Sequence, residues 1–445
     1  MQDDRTRKPT QGWLPLECES DLGTYNLSTE TPTENMEVME RIVAPSNVRE
    51  AYRRVKRNGG CPGVDGMSVE ELKEHLHRHW QHIREELLRG TYKPSAVKRH
   101  ELRKPGGGIR ILGIPTVLDR LIQQAVLQVL QPEWDPTFSE HSYGFRPGRS
   151  AHQAVEKARE HYRAGHHRVV DLDLEKFFDR VNHDKLMTLV RERVEDRRVR
   201  RLIRRYLQAG MLVGDVYSER SEGTPQGGPF SPLLANLLLD RLDRELEKRG
   251  HRFVRYADDV SIYVRSERAG RRVLESITKY LQKKLKLSVN KSKSRVDKPR
   301  NRSLLGFSIG NAGRVSVSKE SIRRLKTRVR QLTNRSRGRR IEQIIRELAT
   351  YLRGWRQYFN YAYSKQKFRE LTGWIKRRLR CYLWKQWGQA GYRRLRQLGV
   401  SRDLAWNTCK SHHGPWRLSR SPALAVALTT RYFVDMGLPL LHVNV

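Results

Sequence analysis

The sequence predicts an α+β fold, with helices segregated from an antiparallel sheet over about 36–310 and an all-helical region over 311–400. Three observations predict it. Short apolar runs bounded by turn residues recur up to about residue 310 and read as strands. Between them lie segments with apolar residues at helical spacing. Beyond about 318 only the helical period remains, on a strongly basic background: residues 319–400 hold 24 Lys/Arg against four Asp/Glu.

The elements follow in chain order. Residues 1–35 are polar, rich in Thr and Glu and without apolar periodicity, so a flexible acidic arm is expected there. LDRLIQQAVLQVLQP (118–132) predicts a helix that stops at Pro132. HRVVDLDLEKFFD (167–179) begins as a buried strand. RFVRYADDVSIYV (252–264) reads as a hairpin of two apolar runs around a tight Asp-Asp turn. RAGRRVLESITKYLQKKLKL (268–287) predicts an amphipathic helix. In the basic region, ESIRRLKTRVRQL places Ile322, Leu325, Val329 and Leu332 on one helical face. IEQIIRELATYLRGWRQYF does the same with Ile341, Ile344, Ile345, Leu348, Leu352, Trp355 and Phe359. Residues 401–445 are mixed and basic and read as a short tail of DNA-binding character.

Lys and Arg number 88 against 49 Asp and Glu, a formal net charge of +39. This exceeds what solubility requires and predicts a polyanionic partner, nucleic acid first. No run of about 18 apolar residues is present, so no membrane span is expected. The N-terminus lacks the apolar stretch of a signal peptide. Cys18, Cys61, Cys381 and Cys409 form no C-x-x-C pair. That fits a cytoplasmic chain and argues against a disulfide framework or a thiolate zinc site.

Against this charge, a few acids stand out. Asp171 and Asp173 are two apart, so on a strand they share one face while Val170, Leu172 and Leu174 share the other. A carboxylate on a largely apolar strand is costly unless it is paired or metal-bound. Asp258 and Asp259 lie between two further apolar runs. Placed beside the first strand, they would gather carboxylates suited to Mg²⁺. Two such ions could activate a 3′-hydroxyl and stabilise a leaving pyrophosphate.

Tyr256-Ala257-Asp258-Asp259 resembles the YADD box of reverse transcriptases. The other blocks resemble those of the group II intron-encoded reverse transcriptase and maturase family, in its order: PGVDG (62–66), RKPGGGIRILGIPTVLDRLIQQA (103–125), SYGFRPGRSAHQA (142–154), DLDLEKFFDRVNHDKL (171–186), GTPQGGPFSPLLANLLLDRLD (223–243), LKLSVNKSKSRV (285–296) and LLGFSI (304–309). YLRGWRQYF sits where that family has its thumb, or maturase domain X. The resemblance implies a right-hand polymerase, with fingers and palm over 36–310, a helical thumb over 311–400 and the 401–445 tail. It implies RNA-directed DNA synthesis with two Mg²⁺ ions, Mn²⁺ being the alternative, and binding of the host intron RNA to promote splicing and mobility. The implied partners are that RNA, an RNA template with a DNA primer, dNTPs, target DNA and a second copy of the chain.

The implied site can be placed residue by residue. Asp173, Asp258 and Asp259 are the metal and catalytic acids, with Asp173 preferred to Asp171 and Asp258 the more direct ligand. Asp179 reads as structural, a helix N-cap. Lys104 and Arg110, flanking PGGGI, would hold the triphosphate. Phe178 falls at the position of an aromatic steric gate, with core packing as the alternative. Gln226 and Lys293 would lie near nucleotide, template or primer, with Gly227 permitting close backbone approach. Arg146 contacts template or packs the fingers. Arg323, Arg324, Arg328, Arg337, Arg339 and Arg340 would face RNA, with Trp355 and Phe359 in the core. The chain departs from many family members in showing no H-N-H endonuclease pattern, since His412-His413 lacks companion ligands. Mobility would then draw on another primer, such as a nascent strand. The competing readings are a domesticated reverse transcriptase in phage defence or CRISPR spacer acquisition, a non-catalytic RNA-binding splicing factor, and an RNA polymerase. Phe178 opposes the last.

Overall fold

The computed structural model describes residues 37–103, 107–213, 216–218, 222–224 and 227–442; the expected arm over 1–35 lies outside them. Among the described residues there are ten strands: β1 (Val97–Arg103), β2 (Ile109–Ile114), β3 (Arg168–Asp173), β4 (Met211–Val213), β5 (Val216–Ser218), β6 (Arg252–Tyr256), β7 (Asp259–Val264), β8 (Arg295–Asp297), β9 (Phe307–Ile309) and β10 (Val315–Val317). They make a palm-like sheet of order β6-β7-β3-β8, a second sheet of order β2-β1-β4-β5, and the hairpin β9–β10. Every pairing in the first sheet is antiparallel.

Both faces of that sheet are covered, which explains its near-continuous apolar strands. On one face Val170, Leu172, Val260 and Ile262 join the main core with Leu121 and Ile122 of helix Val117–Trp134 and Leu238 and Leu242 of helix Ser231–Lys248. On the other, Val169, Val254 and Tyr263 pack with Ala154 and Ala158 of helix Ala151–Arg163. Burying each large aliphatic side chain stabilises the fold by about 1.5–3 kcal/mol. A capping box between Ser150 and Gln153 starts that last helix.

A separate core unites the C-terminal helices. Leu325, Val329 and Leu332 meet Ile344, Ile345, Leu348, Leu352, Trp355 and Phe359, with Ile322 partly buried at the margin. Leu418, Leu424, Leu428 and Phe433 belong to the same core, so the segment expected as a tail is packed into the thumb.

Two expected boundaries move. Helix Val117–Trp134 runs through Pro132, because a proline in the last turn forfeits one hydrogen bond. The helix expected over 268–287 is α-helical only over Glu267–Tyr280 and closes with a π turn, Leu281–Leu285, that buries Leu281 and Leu285. No helix among the described residues is long and apolar enough to cross a membrane.

Candidate active site

The register of the palm-like sheet sets the site. Asp173 at the end of β3 lies opposite Asp259, the first residue of β7, and Asp259 also pairs with Tyr256. The turn is therefore Ala257-Asp258 rather than Asp-Asp, with Ala257 at φ 56°. By the two-residue period, Asp171 and Asp173 continue the face of Val169, past the end of its small cluster.

The two acids on β3 are treated differently. Asp171 accepts from the Arg302 guanidinium, including Nε at 2.8 Å. Asp173 is half-buried; its amide donates to Ser294 Oγ at 3.0 Å and its carbonyl accepts from the Asn290 amide at 2.9 Å. Its carboxylate meets Lys293 Nζ at 3.4 Å. Asp171 is thus matched to its own arginine, while Asp173 shares an exposed lysine.

Electrostatics single out the hairpin acids. Desolvation pushes the Asp258 carboxyl up, with Arg110 and Arg255 opposing and Asp173 adding to the push. Asp259 is exposed, yet it is pushed up to about 7, by desolvation first and then by Asp258, Asp171 and Asp173, with Lys293 opposing. Its surroundings crowd it enough to weaken hydration, and mutual repulsion does the rest. A divalent cation would relieve this repulsion, and three carboxylates are a hard-oxygen donor set that fits Mg²⁺.

The hairpin is held from behind by a group the sequence reading overlooked. Arg255, fully buried, donates from Nε to Asp243 Oδ1 at 2.8 Å and from Nη2 to Oδ2 at 2.6 Å. Its Nη1 donates to Asn236 Oδ1 at 2.8 Å and to the Ala257 carbonyl at 3.0 Å, inside the turn itself. Asn236 Nδ2 donates to the Gly144 carbonyl at 2.9 Å. A Cβ on Gly144 would stand 2.2 Å from the Ala257 nitrogen, so only glycine lets that loop close against the turn. An arginine inside an apolar strand run, four residues ahead of Asp259, was the available signal.

The other predicted residues divide. Arg110, exposed on β2, is close enough for its charge to act on Asp258. Lys104 and Gln226 lie outside the described residues. Gly227 has φ +143° and backs onto the Gly113 carbonyl, where a Cβ would approach to 2.6 Å. Phe178 is 8% exposed and packs edge-on to Phe177 at 5.2 Å between ring centres. Asp179 is not an N-cap: it ends a short 3₁₀ turn, and Asn182 caps the next helix by accepting from the Lys185 amide.

Of the two readings of Arg146, its contacts favour packing: the buried guanidinium donates to Asp135 and to the Ser139 and Ser142 carbonyls. Arg337 is likewise committed, to Glu347 at 2.8 Å and the Leu332 carbonyl at 2.8 Å. Arg323, Arg324, Arg328, Arg339 and Arg340 are exposed, the first two leaning on Glu320.

By spacing alone, another cluster gathers acids more tightly: Glu37, Glu40 and Asp196 bring carboxylate oxygens within 4.8 Å of one another. Arg198 fills it, with contacts of 2.6 Å, 2.7 Å and 3.0 Å to the three. Burial alone would raise the Asp196 carboxyl, but bonds from Arg198 and from the Met39 amide hold it below the usual range. The acids Asp173, Asp258 and Asp259 are not drawn this close.

Comparison with known proteins follows the same division of the chain. Residues 102–309 match the reverse transcriptase (RNA-dependent DNA polymerase) family, and residues 322–399 match the group II intron maturase-specific domain. The chain is 36% identical over 239 residues to protein YkfC of Escherichia coli (strain K12), covering 52% of this chain and 62% of that protein. It is 38% identical over 211 residues to the group II intron-encoded protein LtrA of Lactococcus lactis subsp. cremoris, covering 46% of this chain and 34% of that protein. The matches thus span less than two thirds of these relatives. Among solved structures, a partial Cas6-RT-Cas1–Cas2 complex is similar with a TM-score of 0.37 and 25% identity, over 56% of this chain and 43% of that chain.

Proposed function

We propose that this chain, which matches the reverse transcriptase family and the group II intron maturase-specific domain in that order, is a group II intron-encoded reverse transcriptase and maturase: an RNA-directed DNA polymerase that also binds its host intron RNA and promotes splicing and mobility. The observation that carries this is the register that sets Asp173 against Asp259 with Asp258 in the adjoining turn.

Asp173 and Asp258 are the proposed ligands of two Mg²⁺ ions, for which Mn²⁺ can substitute, with Asp259 completing the negative field. When bound, such ions activate the primer 3′-hydroxyl and stabilise the leaving pyrophosphate. Arg255 acts through the Ala257 carbonyl to fix the turn, so that Asp258 projects without reorganising. Lys293, 3.4 Å from the Asp173 carboxylate, would offer its charge to a phosphate of the primer or nucleotide. Arg110, on β2, holds the triphosphate of a dNTP together with Lys104, and Gln226 contacts the nucleotide or template. Phe178 is the proposed gate, its ring excluding a 2′-hydroxyl. The exposed arginines of the thumb contact RNA phosphates, with a DNA target, a second protein copy and a cytoplasmic location completing the reading.

The test is dNTP incorporation on a primed RNA template with Mg²⁺, beside binding to RNA flanking the gene. Asp258→Asn is expected to lower the rate by on the order of 10³-fold, the loss of a group that stabilises transition-state charge. RNA binding should persist. Full activity in the variant would overturn the metal assignment.

A further inference from the structure

A cavity of about 450 Å³ lies where the end of helix Ala151–Arg163, the β9–β10 turn and the start of helix Lys365–Trp387 meet. It is separate from the acids described above, and none of its lining residues is a carboxylate. Its volume is in the range of small-ligand sites. Five cations line it: Arg159, Arg163, Arg314, Arg356 and Lys365. Arg159 is matched by Glu156 at 2.6 Å. Among the described residues, Arg163, Arg314 and Lys365 have no carboxylate within ion-pair distance. Gathering like charges in one hollow opposes folding unless an anion enters.

The walls of the hollow are tied to one another. Gly313, at φ +69°, brings the β9–β10 turn onto the Arg159 and Arg163 stems, where a Cβ would stand 3.0 Å from Arg163 Cγ. Next to it, the Tyr363 amide donates to the Val315 carbonyl at 2.9 Å, which anchors that residue to β10. Tyr363 is nonetheless 74% exposed, the most exposed of the large apolar residues among those described, and its ring centre lies 5.9 Å from the Arg314 guanidinium. Tyr361, by contrast, is tied inward against His152 and Phe307. An exposed, anchored ring beside unmatched cations is the chemistry that holds an unpaired nucleotide: a π-face for the base and charge for the phosphate.

We propose that this cavity binds one unpaired nucleotide of a single-stranded nucleic acid, with its phosphate among Arg163, Arg314 and Lys365 and its base on Tyr363. The inference rests on the reading of the chain as a polynucleotide-binding polymerase and adds a site outside both the palm acids and the arginines of 323–340. A duplex cannot enter it, because its bases are stacked on one another and offer no free face to Tyr363.

The experiment crosslinks the full chain with single-stranded 12-mers carrying 4-thiouridine in RNA or 4-thiothymidine in DNA, beside a duplex of the same sequence, and maps the adducts by mass spectrometry. Adducts are expected within 361–365 or at Arg314. Tyr363→Ala and Arg314→Ala should each reduce them at least fivefold, since stacking of one base is lost in the first and phosphate charge in the second. Adducts with either sugar support the site, and their ratio tells which strand it prefers. Adducts confined to other segments, adducts unchanged by Tyr363→Ala, or equal yields from the duplex would overturn it. Primer extension by the same wild-type preparation separates the two readings. Extension without pocket adducts removes the pocket alone, and pocket adducts without extension remove the polymerase alone.

Discussion

Glu37, Glu40 and Asp196 crowd more closely than Asp173, Asp258 and Asp259, yet the tighter cluster is the one that carries its own cation. Arg198 contacts all three of its acids, and Asp196 is held below the usual carboxylate range. At the palm, Asp259 is instead pushed up to about 7, by desolvation and then by its acidic neighbours, with Lys293 the opposing charge. The difference teaches that spacing alone does not identify a metal site. What matters is whether the protein supplies the compensating charge. In the first cluster a guanidinium completes the structure. In the second, Lys293 and Arg110 oppose the repulsion without cancelling it. The same contrast recurs within two residues of β3, where Asp171 has Arg302 and Asp173 has only an exposed lysine.

Three substitutions would break or sharpen this comparison. The largest effect is expected behind the palm turn. Arg255→Met leaves Asp243 buried without its partner and should cost about 3–5 kcal/mol of stability, read as a drop in the urea midpoint. A midpoint near wild type would show that the turn does not depend on this network. Next, Arg198→Ala strips the tight cluster of its cation. About 1–3 kcal/mol should be lost, while primer extension per folded molecule stays at the wild-type level. A fall in extension would tie that cluster to catalysis. The smallest effect belongs to Asp259. Its carboxyl holds its proton to a higher pH when folded than when unfolded, so the native state loses stability as pH rises from about 4 to about 7. In metal-free buffer, Asp259→Asn should therefore raise Tm at pH 8 and leave it near wild type at pH 4. After discounting for solvent exposure the gain is roughly 1–2 °C. A variant less stable at pH 8 would contradict the repulsion.

Apolar runs bounded by turn residues were enough to place β3 and the β6–β7 hairpin, and the 3.6 period to place the faces of the two thumb helices, because both patterns record burial directly. The ordered motifs likewise brought Asp173, Asp258 and Asp259 to one end of one sheet. The role of each arginine was not legible. Arg146 and Arg337 look no different in sequence from Arg323, but the first two are committed to partners that folding supplies. The match of Asp171 to Arg302 spans 131 positions and has no local signature. The packing of the C-terminal segment was not legible, because its short helices carry too few apolar residues each to show a face, although together they complete the thumb core.

On the proposed function, the palm acids recruit divalent cations and the tighter Glu37 cluster does not. Mn²⁺ titration monitored by EPR, with primer and template bound, tests it most directly. The account predicts that Asp173→Asn combined with Asp258→Asn weakens Mn²⁺ binding at least tenfold, while Glu37→Gln combined with Glu40→Gln binds as the wild type does. Binding unchanged in the palm variant, or lost in the Glu37–Glu40 variant, would contradict it.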